Sequence, residues 1–239
     1  PSGERFDPET LDTVATRLRR TGVFRSVNIR ESDNIGPDQS MDIAVDDYPS
    51  PVVLFGKGSD QVDWVDVDNE GGAYLSTKHL LELGHREIAL FKFEIDEPFM
   101  IEREKGYRKA MAEFSIEVPE EWVVSNLENS SASAKAQAMR TLRTSSISAV
   151  VCCSDVVGLG VTQAAKELGI SVPNDLSVVG FDSVGYDMMA DPRLTTIRQP
   201  VFEIGKRLGE ILIERINAHG STYTPHHEVV STELIVRDS

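Results

Sequence analysis

Ser177-Val178-Val179-Gly180-Phe181-Asp182, followed by the turn-rich stretch Ser183–Pro200, is the part of the sequence that decides the fold. Ser177–Phe181 is a short valine-rich run closed by a glycine and an aromatic residue. Such a run, bounded by turn residues, suits a strand buried on both faces of a sheet. Asp182 then falls at the carboxyl end of that strand. In an open α/β sheet this is the end that binds ligands, because the loops there enclose a crevice and the next helix presents its N-terminus.

Working outward, Pro51–Phe55, Glu87–Phe91 and Ser148–Cys152 are runs of the same buried type. Helical patterns lie between them. Gly72, Leu75, Ser76, His79, Leu80 and Leu83 form one stripe, ended by Gly84. Val157, Val161, Ala164, Ala165 and Leu168 form another, ended by Gly169. Strands alternating with helices of this length predict βαβ units and a largely parallel sheet. A last amphipathic helix is expected through Ile204, Leu208, Ile211, Leu212 and Ile216, then an edge strand over Glu228–Arg237.

The first 48 residues have another rhythm. Asp7-Pro8-Glu9 is a helix start, with an N-cap, a proline at the first helical position and an acid in the first turn. Leu11, Val14, Ala15 and Leu18 continue the helix to Gly22. Two alternating runs follow, Ser26–Arg30 and Met41–Val45, separated by a Gly36-Pro37-Asp38 turn. The polar joint Asp46–Ser50 marks the boundary between this α-β-β segment (1–48) and the rest (49–239).

Composition narrows the function. The 239 residues carry a net charge of −15, which argues against a nucleic-acid surface of their own. The one basic cluster, Arg17-Leu18-Arg19-Arg20, reads as a solvated helix face. No apolar run reaches the ~18 residues of a membrane span. Cys152 and Cys153 are adjacent in an apolar run and read as buried thiols, which favours a reducing compartment. Asp66–Gly71 has the spacing of an EF-hand loop, but Thr77 stands at its twelfth position, so a crossover strand fits better. Gly56-Lys57-Gly58 and Gly158-Leu159-Gly160 lack phosphate-loop spacing. His79 and His85 read as structural, and His226-His227 point to opposite faces of a strand. No nucleophile elbow, Cys-x-x-Cys pair or zinc helix is present, so the chain reads as a non-enzyme without a cofactor or metal.

Three strand ends supply the candidate site. Ser154, Asp155 and Asp182 follow predicted strands, and Arg103 lies beyond the Glu87–Phe91 strand. Their convergence on one crevice is the physical case for a ligand site. A carboxylate accepts from two hydroxyls, and an arginine fork donates to two oxygens. Each has a plainer alternative: a turn cap for Asp182, a paired helix charge for Arg103, an N-cap for Asp155.

Several motifs resemble, in order from Pro51 to Ser239, the effector-binding domain of LacI/GalR-type transcriptional regulators. They are Val67-Asp68-Asn69 with Gly71-Gly72, His79–Ala89, Arg103–Tyr107, Ser154-Asp155, Val178–Asp182 and Leu194–Pro200. The resemblance implies a periplasmic-binding-protein-like α/β fold with Rossmann-like lobes, a ligand between the lobes and hinge strands crossing from one to the other. It assigns effector contacts to Arg103 and Asp182. It places Asn129 where many members carry a stacking aromatic, and Ser154 where an asparagine is common. Phe93 or Phe99 is then the expected aromatic face. The implied function is a cytoplasmic, homodimeric small-molecule sensor for a sugar or related polar metabolite, the sensor part of a repressor. Operator DNA would be bound only through a headpiece outside this chain. Against the family pattern, the headpiece and much of the first lobe are expected to be missing before Pro51. The cover for the helix Phe202–Asn217 would then come from residues 1–48 or a second chain.

Residues 1–47 resemble part of a POTRA module, on Arg5-Phe6-Asp7, Leu18, Thr21–Val27 and Met41-Asp42-Ile43. The chain therefore reads as composite. Two further readings stay open: a periplasmic solute-binding protein of the same fold, and a POTRA-type assembly or interaction module, which would place the protein in the periplasm.

Overall fold

The computed structural model describes residues 28–31, 43–46, 51–93, 97–218 and 224–239, with backbone alone at 28–31, 43–46, 126 and 127. Strands β1 (Asn28–Glu31) and β2 (Ile43–Asp46) pair antiparallel, Asn28 opposite Asp46. Then come β3 (Val53–Phe55), β4 (Asp63–Val67), α1 (Asn69–Glu82), β5 (Ile88–Phe93) and α2 (Pro98–Glu113). A 3-10 turn at Glu120–Trp122 leads into β6 (Val123–Leu127), α3 (Ser131–Thr144), β7 (Ala149–Cys152) and α4 (Asp155–Leu168). The chain closes with β8 (Ser177–Asp182), the single turn α5 (Tyr186–Met189), β9 (Thr195–Arg198), α6 (Val201–Asn217), β10 (His227–Val230) and β11 (Glu233–Ile235). The helix expected from Asp7, the Gly36 turn, the Asp46–Ser50 joint past Asp46 and most of the POTRA-like residues lie outside the described residues.

The large lobe is a six-stranded sheet in the order β11-β9-β8-β7-β5-β6. It is parallel except for β11, which runs antiparallel to β9. Its strands alternate between two apolar faces. Ile88, Leu90, Ala149, Val151 and Val179 pack with Leu80, Leu81, Tyr107 and Met111 of α1 and α2. Ala89, Phe91, Val150, Cys152 and Val178 pack with Ala134, Ala138, Val157, Val161 and Ala165 of α3 and α4. Helices on both faces are what a parallel sheet requires. Each helix pair is drawn close by a glycine. A Cβ on Gly106 would lie 2.1 Å from the Glu70 carbonyl, and one on Gly160 would lie 2.3 Å from the Ser131 carbonyl. At the amino ends of β7 and β8, His85 bridges the hydroxyls of Ser148 and Ser177 at 2.9 and 3.1 Å. Both cysteines are free and buried.

The small lobe is a three-stranded parallel sheet, β10-β4-β3, with α6 on one face. Ile204 and Ile211 of α6 pack on Val65 and Val67 of β4. So the remaining first-lobe strands do cover part of the α6 stripe, while Phe202, Ile213 and Ile216 stay exposed.

Three sequence expectations need correction. Pro51–Phe55 is not a buried strand: β3 is three residues at a sheet edge, with Leu54 and Phe55 exposed. On α1, Leu75 and Leu83 are exposed, and the buried face is Gly72, Ala73, Ser76, Thr77, Leu80 and Leu81. That helix is held between the sheet and α2, so its buried arc is set by two neighbours rather than one. Glu228–Arg237 is two strands in different sheets, broken at Ser231-Thr232. The break is one of three passages of the chain between the lobes. The other two are Asp68, between β4 and α1, and Gln199-Pro200, between β9 and α6.

Candidate ligand-binding cleft

The order of the large sheet reverses after β5: β6 lies on one side of it and β7 on the other. At such a reversal the loops beyond the strand ends diverge and leave a crevice. Here the crevice faces the small lobe and forms a cleft of about 730 Å³. Phe93, at the end of β5, and Ser154, just past β7, flank the reversal, and Asp182 ends β8.

Five of the six residues singled out from sequence line this cleft: Phe93, Arg103, Asn129, Ser154 and Asp182. The sixth, Asp155, does not. It is buried at the first position of α4, its carboxylate turned toward the Ser183 amide and the Thr196 hydroxyl. Nor is Asp155 the N-cap. That role belongs to Ser154, whose hydroxyl accepts from the Val157 amide at 3.3 Å.

Arg103 is the centre of the cleft floor, with 8% of its side chain exposed. Its Nε donates to Asn69 Oδ1 at 2.9 Å, Nη1 donates to the Cys153 carbonyl, and Nη2 stands 3.8 Å from Asp182 Oδ1. The guanidinium lies 3.5 Å above the Phe181 ring centroid and 5.4 Å from that of Phe99. Burial lowers its pKa against the pull of Asp182, yet an arginine stays charged. It is therefore no solvated helix charge. Two of its nitrogens are committed to the protein, and Nη2 is the one directed at the carboxylate.

Asp182 accepts from Gln199 Nε2 at 2.6 Å. Burial pushes its carboxyl above the ordinary value, against Arg103 and Gln199. Its backbone is left-handed, φ 113°, and so is that of Ser183, φ 55°. Each such residue outside glycine stores about 1–3 kcal/mol of strain. The small lobe closes the other side with Leu54, Phe55, Lys57 and Asp66, and Lys57 reaches across to an ion pair with Glu102 of α2.

This geometry is matched by comparison with known proteins. Residues 77–239 match the family described as a periplasmic binding protein-like domain. This chain belongs to that family. The HTH-type transcriptional regulator YvdE of Bacillus subtilis (strain 168) is 37% identical over 196 residues, 80% of this chain and 59% of that protein. The HTH-type transcriptional repressor PurR of Vibrio campbellii (strain ATCC BAA-1116) is 37% identical over 171 residues, 71% of this chain and 51% of the repressor. A complex of the transcriptional regulator CelR with cellobiose is 35% identical with a TM-score of 0.72, covering 78% of this chain and 58% of that one. A LacI-family regulator from Enterococcus faecium with bound ribose is 28% identical with a TM-score of 0.71, covering 79% and 70%. The chain spans little more than half the length of these curated relatives.

In this periplasmic-binding-protein-like chain the sequence reading missed the residues that reach the cleft from the passages between lobes, Asp66, Asn69 and Gln199. Asp66 is buried and accepts from the Lys57 amide at 3.2 Å. The signal was available, since Asp66–Asn69 sits at a strand end followed by a helix start. Among the described residues no group of His, Cys, Asp or Glu is placed to hold a metal, and no helix is long and apolar enough to cross a membrane.

Proposed function

We propose that this chain is the small-molecule effector-binding part of a LacI/GalR-type transcriptional regulator and has no catalytic role. The observation that carries the reading is the cleft at the sheet's reversal point, where Arg103 and Asp182 face a space bordered by a second lobe. Phe93, Asn129 and Ser154 are its further ligand contacts. A ligand touching both lobes favours one lobe orientation over another, and that difference in affinity is what a sensor transmits. The ligand class is a sugar or related polar metabolite, in keeping with the cellobiose and ribose bound by the two similar structures.

The regulator reading brings with it a homodimer, a cytoplasmic location and operator DNA bound through a headpiece outside this chain. We also take residues 1–48 as a separate α-β-β segment joined to 49–239, which is mostly the carboxyl-terminal lobe. The solute-binding and POTRA-type readings are less favoured, because the similar proteins are HTH-type regulators.

Thermal-shift and calorimetric titration with cellobiose, ribose and a panel of other sugars and nucleobases tests the reading. At least one compound should bind saturably, and Asp182→Asn should weaken it about tenfold, roughly the loss of one charge-assisted hydrogen bond. A panel without a saturable binder would remove the receptor function.

A further inference from the structure

Asp155 is buried, does not line the cleft, and makes no ion pair among the described residues. Its two oxygens are nevertheless fully used. Oδ2 accepts the Ser183 amide at 2.7 Å, and Oδ1 accepts the Thr196 hydroxyl at 2.5 Å. Those donors come from different places, the loop after β8 and the strand β9. The sequence keeps room for this carboxylate, because a Cβ on Gly180 would stand 2.2 Å from Asp155 Oδ1. From the far side Asp187 accepts the Ser183 hydroxyl and the Gly185 amide, each at 3.0 Å, and is itself paired with Arg237 at 2.8 Å. The segment clamped between the two carboxylates contains the left-handed residues Asp182 and Ser183. Side chains with a Cβ resist that conformation, so surrounding contacts must hold it.

We propose that Asp155 is a positioning residue: its carboxylate pins the Asp182–Ser183 turn in the left-handed backbone that presents Asp182 to the cleft. This rests on the cleft being the ligand site, and it adds a residue that acts there without touching ligand. An acceptor-only group suits the task, since both atoms it must hold are donors. Asparagine can also do it. Its Oδ1 would accept the Ser183 amide while its Nδ2 donates to Thr196 Oγ1, a hydroxyl able to accept. Alanine offers neither.

The test is amide hydrogen exchange at Ser183 in the ligand-free chain, with the Gln199 side-chain amide resonance as second reporter. In Asp155→Ala the Ser183 amide should exchange about tenfold faster and the Gln199 signal should move, as expected for a lost hydrogen bond to a charged group. Asp155→Asn should stay within about threefold of the natural chain. Thr196→Val, which keeps the charge and the fold, should speed exchange about threefold by freeing one side of the carboxylate. Wild-type exchange in Asp155→Ala overturns the proposal, as does Asn behaving like Ala. If Asp155→Ala does not fold, unchanged exchange in Thr196→Val overturns it. The readout needs no ligand, so an empty titration panel would refute the receptor reading separately. Conversely, a panel sugar bound equally by Asp155→Ala and the natural chain refutes the positioning role and leaves the cleft standing.

Discussion

Each lobe holds a buried aspartate, and the two are kept by opposite means. Asp63, at the start of β4 in the small lobe, is gripped by Arg215 at 2.7 and 2.8 Å and by the His226 amide at 2.7 Å. Asp155, in the large lobe, has an amide and a hydroxyl but no cation. Burial pushes both carboxyls up. At Asp63 the Arg215 fork and the His226 amide outweigh burial and hold the pKa below its ordinary value. At Asp155 burial wins, and the pKa rises to about 7. The small sheet has one helix against it, and the indole nitrogen of its Trp64 is buried without a hydrogen-bond partner. That lobe is fastened at its edge by a charge pair. The large sheet is packed on both faces and can hold an unpaired carboxyl where it organises the rim.

The contrast can be broken experimentally because each lobe has its own tryptophan, Trp64 in β4 and Trp122 beside the large core. The largest effect is expected from Phe91→Ala, which empties the large core and should cost about 4 kcal/mol. Urea unfolding followed by Trp122, in a Trp64→Phe background, reads it. Next is Arg215→Ala, which leaves Asp63 buried and unpaired, at about 3 kcal/mol. It should appear in Trp64 fluorescence in a Trp122→Phe background. Coincident transitions for both tryptophans in both variants would show one cooperative unit and erase the distinction between lobes.

The pH dependences should run in opposite directions. Asp63 is depressed in the folded state, so its contribution is complete above the ordinary value of 3.8 and is lost as the pH falls below it. Asp155 is raised, so the folded chain holds a proton that the unfolded chain has released. Stability from that site is greatest below 3.8 and declines as the pH rises toward about 7. Asp155→Asn should flatten that decline and gain on the order of 2 kcal/mol at pH 8. Denaturation midpoints between pH 5 and 8 measure it, and a natural chain that grows more stable across that range would reverse the assignment. The smallest effect is expected at Leu83, which the sequence places on the buried stripe and the structure leaves 62% exposed. Leu83→Ser should change the unfolding free energy by no more than about 0.5 kcal/mol.

The expectations that held came from local pattern. Ser177–Asp182, Glu87–Phe91 and Ser148–Cys152 appear as strands within two residues of their expected limits. A doubly covered strand needs apolar residues throughout, and that shows in any short window. Placing Ser154 and Asp182 on a common rim followed from the same rule, since strand ends in a parallel sheet point one way. The errors arose where one element answers to two neighbours. The α1 stripe was read for a single packing partner, and Glu228–Arg237 was read for a single sheet.

Residue order and apolar spacing by themselves determined an alternating α/β chain, its large parallel sheet and a polar rim at the carboxyl ends of its strands. Tertiary structure alone decided that Arg103 is largely committed to Asn69 and Cys153, that Asp155 faces away from the cleft, and that the last strand divides between lobes. The reason is range. Backbone periodicity is written within a few residues, whereas burial and hydrogen-bond partnership depend on groups such as Asp155 and Thr196 that meet only when the sheets assemble.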